Sequence, residues 1–299
     1  MSRQGTIRRY TLIIEKINRN QFPSFKEIQD YLFDLGFEVS KRTIERDIEA
    51  IRNEFGMEIT FNRHKEGYFI DSEKSIQIDS FLRFLEIVNT AELLTESLSE
   101  SKNTLEYISF DKGGGLMGIE LLKPLLKAIK EHRKVNILHF NFQTEKRKKY
   151  TIKPYLLKEY QNRWYLVGVV SGINEIRTFG LDRIAELKVS VDIFEIDKKI
   201  HVSQIFDDVI GLVFDSSEKE KVILSFTPSQ GHYIKSLPLH KSQRILIDNE
   251  QECRIELNVI PNYELTQHIL MHHSFVKVIE PLWLANHIKE FLTDALKQY

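Results

Sequence analysis

The chain has 299 residues, 42% of them hydrophobic and 11% aromatic. That is enough apolar material for more than one core, so several domains are expected. Its lone cysteine, Cys253, excludes an intrachain disulfide and a cysteine-built metal site, and no apolar run has the length of a membrane span or the pattern of a signal peptide, so a cytoplasmic location is expected. The formal net charge of −1 hides a local imbalance: from His132 to Lys188, 12 Lys and Arg stand against 5 Asp and Glu, so the middle of the chain attracts anions.

Thr6 to Asn18 places Ile7, Tyr10, Ile13, Ile14 and Ile17 at helical spacing, with one buried stripe. Pro23 stops that helix, and Ser24-Phe25-Lys26-Glu27 opens a second as a capping box, with Ile28, Leu32 and Leu35 facing inward. Gly36 permits a tight turn before Ser40 caps a third helix running to Arg52 and on towards Phe55. Two helices joined by so short a turn form a helix-turn-helix candidate. On the third helix Ile44, Ile48, Ile51 and Phe55 make one apolar stripe, so Arg42, Arg46, Glu49 and Asn53 point the opposite way. Outward arginines near a helix start are what major-groove readout of guanine requires. A hairpin follows: Met57 to Phe61, a turn over Asn62 to Gly67, and Tyr68 to Ile70, with Arg63, His64 and Lys65 at its tip, placed to touch phosphate. The segment from Ser2 to Asp71 is nearly neutral, so affinity for DNA must come from charge placement and from two copies acting together.

Ile76 to Ser99 reads as a long helix with a wide apolar stripe, divided between its own chain and a partner, which predicts a homodimer. Gly113-Gly114-Gly115 reads as a flexible joint, and Ile119 to Glu131 as a helix entering the next domain. Five strands are predicted there, over 135–142, 149–158, 163–170, 176–181 and 184–191, a number that suits a small barrel. Arg163-Trp164-Tyr165-Leu166 and Arg177-Thr178-Phe179-Gly180-Leu181-Asp182-Arg183 put rings and fixed cations on neighbouring strands. Trp164 alternates with Tyr165 and is read as a packing residue, leaving the Tyr165 hydroxyl on the other face. Arg177 and Arg183 are the leading ligand contacts, because a guanidinium fork matches phosphate. Arg163, Phe179, His139 and Tyr155 complete the predicted pocket. From Glu218 onward the pattern is β-α-β-β-α-β with a closing helix, the ferredoxin-like order. His268 and His272 have metal-ligand spacing on one helix face but lack an acid to complete a His-Glu-x-x-His motif, so neither a metal nor a cofactor is expected.

Val39-Ser40-Lys41-Arg42-Thr43-Ile44-Glu45-Arg46-Asp47-Ile48 resembles the recognition helix of winged helix-turn-helix regulators of the WYL family, and Trp164-Tyr165-Leu166 is the tripeptide that names the family. The resemblance covers nearly the whole chain. It implies a multidomain α+β protein: a winged helix-turn-helix domain over 1–72, a helical dimerisation region over 73–131, an Sm- or SH3-like WYL barrel over 132–192, a linker over 193–217 and a WCX-type ferredoxin-like domain over 218–299. It makes Lys41, Arg42, Thr43 and Arg46 DNA contacts, beside the cap Ser40 and the wing residues, with Asp47 holding the helix through a local pairing. Where the family commonly has a tyrosine followed by small polar residues, this chain has Phe140-Asn141-Phe142, which removes hydroxyls that could bond a ligand. The implied function is a homodimeric, ligand-responsive, nucleoid-associated regulator that binds a double-stranded operator. It would be a repressor of phage-defence or DNA-damage genes, and its ligand a nucleotide, a cyclic oligonucleotide or single-stranded nucleic acid. The alternative is an RNA- or single-strand-binding module without promoter switching. An enzyme is not expected, since no nucleophile-base pair, phosphate loop or metal cluster stands out.

Overall fold

The computed structural model describes residues 3–299 except 21, 72, 76–77, 101–116, 143, 198–199 and 215–216. The expected joint at Gly113-Gly114-Gly115 lies outside the described residues. The chain is mixed α and β with several antiparallel sheets, and it divides into two compact units, 1–111 and 112–299.

In the first unit α1 (Arg3–Arg19), α2 (Phe25–Asp34) and α3 (Lys41–Phe55) precede the antiparallel pair β1 (Ile59–Asn62) and β2 (Gly67–Ile70), and α4 (Ile78–Glu100) follows. The capping box at Ser24 and Glu27 is formed, Ser40 Oγ accepts from the Thr43 amide, and left-handed Gly56 ends α3. Tyr10, Ile13, Ile14 and Ile17 of α1 meet Ile28 and Leu32 of α2 and Ile44, Ile48 and Ile51 of α3 in one core, which Leu85 of α4 joins. Within that core lies an ion pair. Arg9, 4% exposed, donates through Nε and Nη2 to both oxygens of Asp47, 2% exposed, the Nη2 bond being 2.9 Å long. This corrects the expectation of a local partner for Asp47: the partner stands 38 residues away on α1, so the contact is tertiary and fixes the rotation of α3 about its own axis.

The second unit opens with a 3-10 turn, α5 (Leu122–Lys130) and five strands: β3 (Arg133–Asn141), β4 (Lys146–Tyr160), β5 (Arg163–Val170), β6 (Glu175–Gly180) and β7 (Ile184–Ile193). The strands form an antiparallel sheet in the order β6-β5-β4-β3-β7, and the 3-10 turn Leu181–Arg183 joins its two edges. Val135, Ile137, Ile152, Leu166, Val170, Phe179 and Leu181 build its core, and Leu125 and Ala128 of α5 close it.

A segment with one short helix, α6 (Val202–Ile205), leads to β8 (Glu220–Phe226), α7 (Pro228–Ser236), β9 (Arg244–Asp248), β10 (Cys253–Val259), α8 (Tyr263–Met271), β11 (Val276–Glu280) and α9 (Leu282–Leu296). These strands pair antiparallel in the order β11-β8-β10-β9, with Val222, Leu224, Phe226, Ile255 and Leu257 packed against Ile234, Leu265, Ile269, Leu284 and Ile288 of the helices. Glu264, 6% exposed, fastens the connecting segment by accepting from the amides of Leu212 (3.1 Å) and Val213 (3.0 Å). Asn262 caps α8 and donates to the carbonyls of Ile210 and Val213. Gly211 has φ +84°, and a Cβ there would lie 2.6 Å from Glu264 Cγ, so both torsion and space demand glycine.

Two stability outcomes follow from these buried charges. Asp47→Ala strands the Arg9 cation inside the first unit and is expected to cost about 3–5 kcal/mol in urea unfolding of the full chain, whereas Arg46→Ala on the exposed face should stay within about 0.5 kcal/mol of the parent. Glu264→Ala leaves two inward amides unmet, each worth about 1–3 kcal/mol, so a fall in Tm of several degrees by calorimetry is expected.

Candidate ligand site and nucleic-acid interface

The exposed face of α3 follows from its anchored face. With Ile44, Asp47, Ile48 and Ile51 buried, Arg42 and Arg46 are exposed, and neither has an acidic partner among the described residues. Lys41 lies 3.9 Å from Glu45 and over the Phe25 ring, so its ammonium is held close to the surface. Ser40 and Thr43 are joined through their hydroxyls at 3.0 Å, which commits both to the cap. At the wing the Asn62 carboxamide accepts from the amides of His64 and Lys65 and shapes the tip. Arg63 and His64 are exposed, while Lys65 rests 4.0 Å above the centre of Phe22. Gly67 packs so tightly on the Phe22 carbonyl that a Cβ would lie 2.0 Å from its oxygen, and the Tyr68 amide donates to Pro23, so the wing is stapled to the loop before α2.

The second cluster sits where β3, β4 and β5 meet the turn at Leu181–Arg183. His139, 7% exposed, has the Phe179 ring edge-on at 5.3 Å and Tyr150 at 6.5 Å. Above this floor Asp182 stands between two arginines: Arg163 Nη1 is 3.6 Å from Oδ2 and Arg183 Nε is 3.8 Å from Oδ1. The Arg183 guanidinium lies 5.0 Å over the Phe142 ring, and the Lys148 ammonium 5.4 Å over Tyr150. His139 Nε2, Asp182 Oδ1 and Arg183 Nε are all buried without hydrogen-bond partners among the described residues. Burial, helped by the nearby Arg183 charge and opposed by Asp182, pushes the His139 pKa down to about 4, so its imidazole is neutral near pH 7. Burial raises the Tyr165 pKa against the pull of Arg163 and Arg183, which keeps that hydroxyl protonated beside the cations.

Of the residues predicted for this pocket, the structure brings together His139, Arg163, Tyr165, Phe179 and Arg183. Phe179, only 3% exposed, serves as floor and has no free face on which a ligand could stack. Tyr155 lies elsewhere: it falls in the irregularity where β4 slips register against β5 between Pro154 and Leu156, packs on Phe194 at 5.5 Å and accepts from the Asp197 amide. Its role is to tie down the segment after β7. Arg177 forks onto Glu175 of its own strand, with bonds of 3.1 and 2.5 Å. Trp164 packs against the sheet core. Tyr150, Phe142 and Asp182 escaped the sequence reading. The β3–β4 register, which sets Ile137 against Tyr150 and His139 against Lys148, is the signal that brings Tyr150 beside His139.

With this geometry in place, comparison of the sequence with protein families identifies a WYL domain over residues 120–189 and a WCX domain over 218–296. The chain carries a WYL domain and a WCX domain. The tryptophan of the WYL tripeptide therefore builds the sheet, while Tyr165 borders the cation cluster. Solved structures similar to this WYL protein include proteasome accessory factor B/C (PafBC) of Arthrobacter aurescens, at 17% identity and a TM-score of 0.33, aligned over 95% of this chain and 46% of that one. They also include a CRISPR Cas-related protein, at 14% identity and a TM-score of 0.38, aligned over 99% and 85% of the respective chains. The WYL protein thus spans about half of the PafBC chain. Among curated proteins the comparison found no match.

Among the described residues no helix is long and apolar enough to cross a membrane, and no group of three or more His, Cys, Asp or Glu could hold a metal ion. His268 and His272 are turned inward instead, with burial lowering both pKa values.

The His139 titration gives a test with a definite sign. Its folded pKa lies below the unfolded value of 6.5, so the unfolded chain binds the extra proton; stability is intact above pH 6.5 and is lost as pH falls towards 4. The full loss is about 3 kcal/mol. Urea unfolding between pH 7 and 4.5 should show that slope, and His139→Phe should flatten it.

Proposed function

We propose that this WYL protein is a homodimeric, ligand-responsive transcription regulator. In this reading the first unit is a winged helix-turn-helix domain with α3 in the major groove and the β1–β2 wing on phosphate. The five-stranded sheet is an Sm-like barrel carrying the sensing site, and the β-α-β-β-α-β segment, with its first and third strands central, is a ferredoxin-like domain. The observation that carries the reading is the division of α3: a buried ion pair holds one face inward while Arg42 and Arg46 stand free on the other. Arginine in that position can bond guanine O6 and N7 bidentately. Dimerisation is supported by α4, which buries Leu85 in its own unit yet leaves Phe84 47% and Ile87 55% exposed. Two copies supply the paired half-sites that a formally balanced reading domain needs.

The barrel site is assigned an anionic ligand, a nucleotide or a piece of nucleic acid, because forked cations stand beside flat rings. Such a ligand switches the dimer only if it favours one arrangement of the two reading heads, since equal affinity for both shifts nothing. We read the protein as a repressor released by that ligand.

Footprinting of the chain's own upstream DNA, with and without candidate oligonucleotides, identifies operator and signal together. Arg42→Ala and Arg46→Ala should each weaken operator binding at least roughly tenfold without lowering Tm. Duplex binding that survives the double substitution would refute this assignment and favour a single-strand-binding module.

A further inference from the structure

A carboxylate at the centre of an anion site is an electrostatic liability, since it repels the ligand the site attracts. Asp182 occupies that place, with its side chain 17% exposed. Its distances to Arg163 Nη1 and Arg183 Nε, 3.6 and 3.8 Å, are too long for hydrogen bonds, so it attracts both guanidinium groups without consuming their donors. The chain makes room for this arrangement. A Cβ on Gly180 would lie 2.5 Å from Asp182 Oδ1 and 2.8 and 2.9 Å from Arg183 Nε and Nη2, and Gly180 has an ordinary extended backbone, so space and not torsion calls for glycine. Phe142 supports the Arg183 plane from another side, and the uncharged His139 beneath adds no competing counter-ion.

We infer that Asp182 is the positioning residue of the WYL anion site, holding Arg163 from β5 and Arg183 from the turn as two prongs aimed at one bound anion. The inference rests on the ligand-binding reading above. Leaving Oδ1 and Nε buried and unpaired disfavours the free state, a cost that preorganisation of the prongs explains.

Positioning and simple electrostatics predict opposite signs. Asp182→Asn removes the repelling charge, so electrostatics alone makes anions bind more tightly. If Asp182 positions the prongs, affinity falls by roughly tenfold, about the worth of one charge-assisted hydrogen bond. The probes are inorganic pyrophosphate and a short fluorescein-labelled oligothymidylate, titrated onto the full chain. The dependence of log K on log salt should become shallower in the variant, as one prong stops contacting the anion, although the protein has gained positive charge. Asp182→Glu should restore part of the affinity. Gly180→Ala keeps every charge, crowds Asp182 and Arg183, and should also weaken binding, which covers the case in which Asp182→Asn does not fold. Equal or tighter binding by folded Asp182→Asn, or unchanged binding by Gly180→Ala, overturns the positioning role and leaves the ligand reading standing. If the parent binds neither probe while Arg42 and Arg46 still read DNA, the ligand reading fails and the positioning role with it.

Discussion

The Arg9–Asp47 pair lies out of water between α1 and α3, and the orientation of α3 depends on it. An apolar stripe alone fixes which half of a helix is buried, but it tolerates some rotation, because Ile44, Ile48 and Ile51 can slide over a greasy surface. A bidentate ion pair cannot, since a small rotation leaves one charge unmet in a low-dielectric interior. The Asp47 hydrogen bonds also hold the Arg9 guanidinium above its usual pKa, so the cation of the lock is kept. The free arginines thus inherit their direction from a contact on the far side of the helix.

The same accounting separates structural from functional charge elsewhere. Glu264 is buried and spends one oxygen on two amides of the segment it fastens. Burial alone therefore does not mark function. The cluster at Asp182 differs in its charge: buried polar atoms of His139, Asp182 and Arg183 that have no hydrogen bond among the described residues lie with two guanidinium groups. A fold that completes its buried hydrogen bonds at Asp47 leaves this set open beside the exposed Arg163 and the half-buried Arg183, which is where a ligand has something to gain.

Much of this was legible in the sequence. The capping box, the three short helices, the hairpin, five central strands and the β-α-β-β-α-β order each follow from periodicity and caps, which are local properties. What was not legible depends on register and on tertiary pairing. Asp47 sits beside Glu45, Arg46 and Glu49 in sequence, and nothing local points to Arg9. Alternation along β4 places Tyr155 on a definite face, but the slip at Pro154–Leu156 redirects it towards Phe194. Phe179 reads from the sequence as a pocket residue, yet its place opposite Leu166 puts it in the core. Asp182 was passed over for want of context: one acid among cations looks like a neutralising neighbour until its distances show that it touches both arginines and bonds neither.

The surplus of positive charge in the middle of the chain divides into two kinds. Lys146, Arg147, Lys148 and Lys149 line the exposed start of β4, where flexible side chains in water raise the local concentration of anions but define no geometry. Arg163 and Arg183 are fewer: both lie against Asp182, and Arg183 also lies over the Phe142 ring, so their forks have a set direction. Salt weakens the exposed basic run more than it weakens Arg183, because screening acts on exposed charges before it acts on partly buried ones. Within the aromatic tripeptide, Trp164 packs against the core and Tyr165 lies under the field of the arginines.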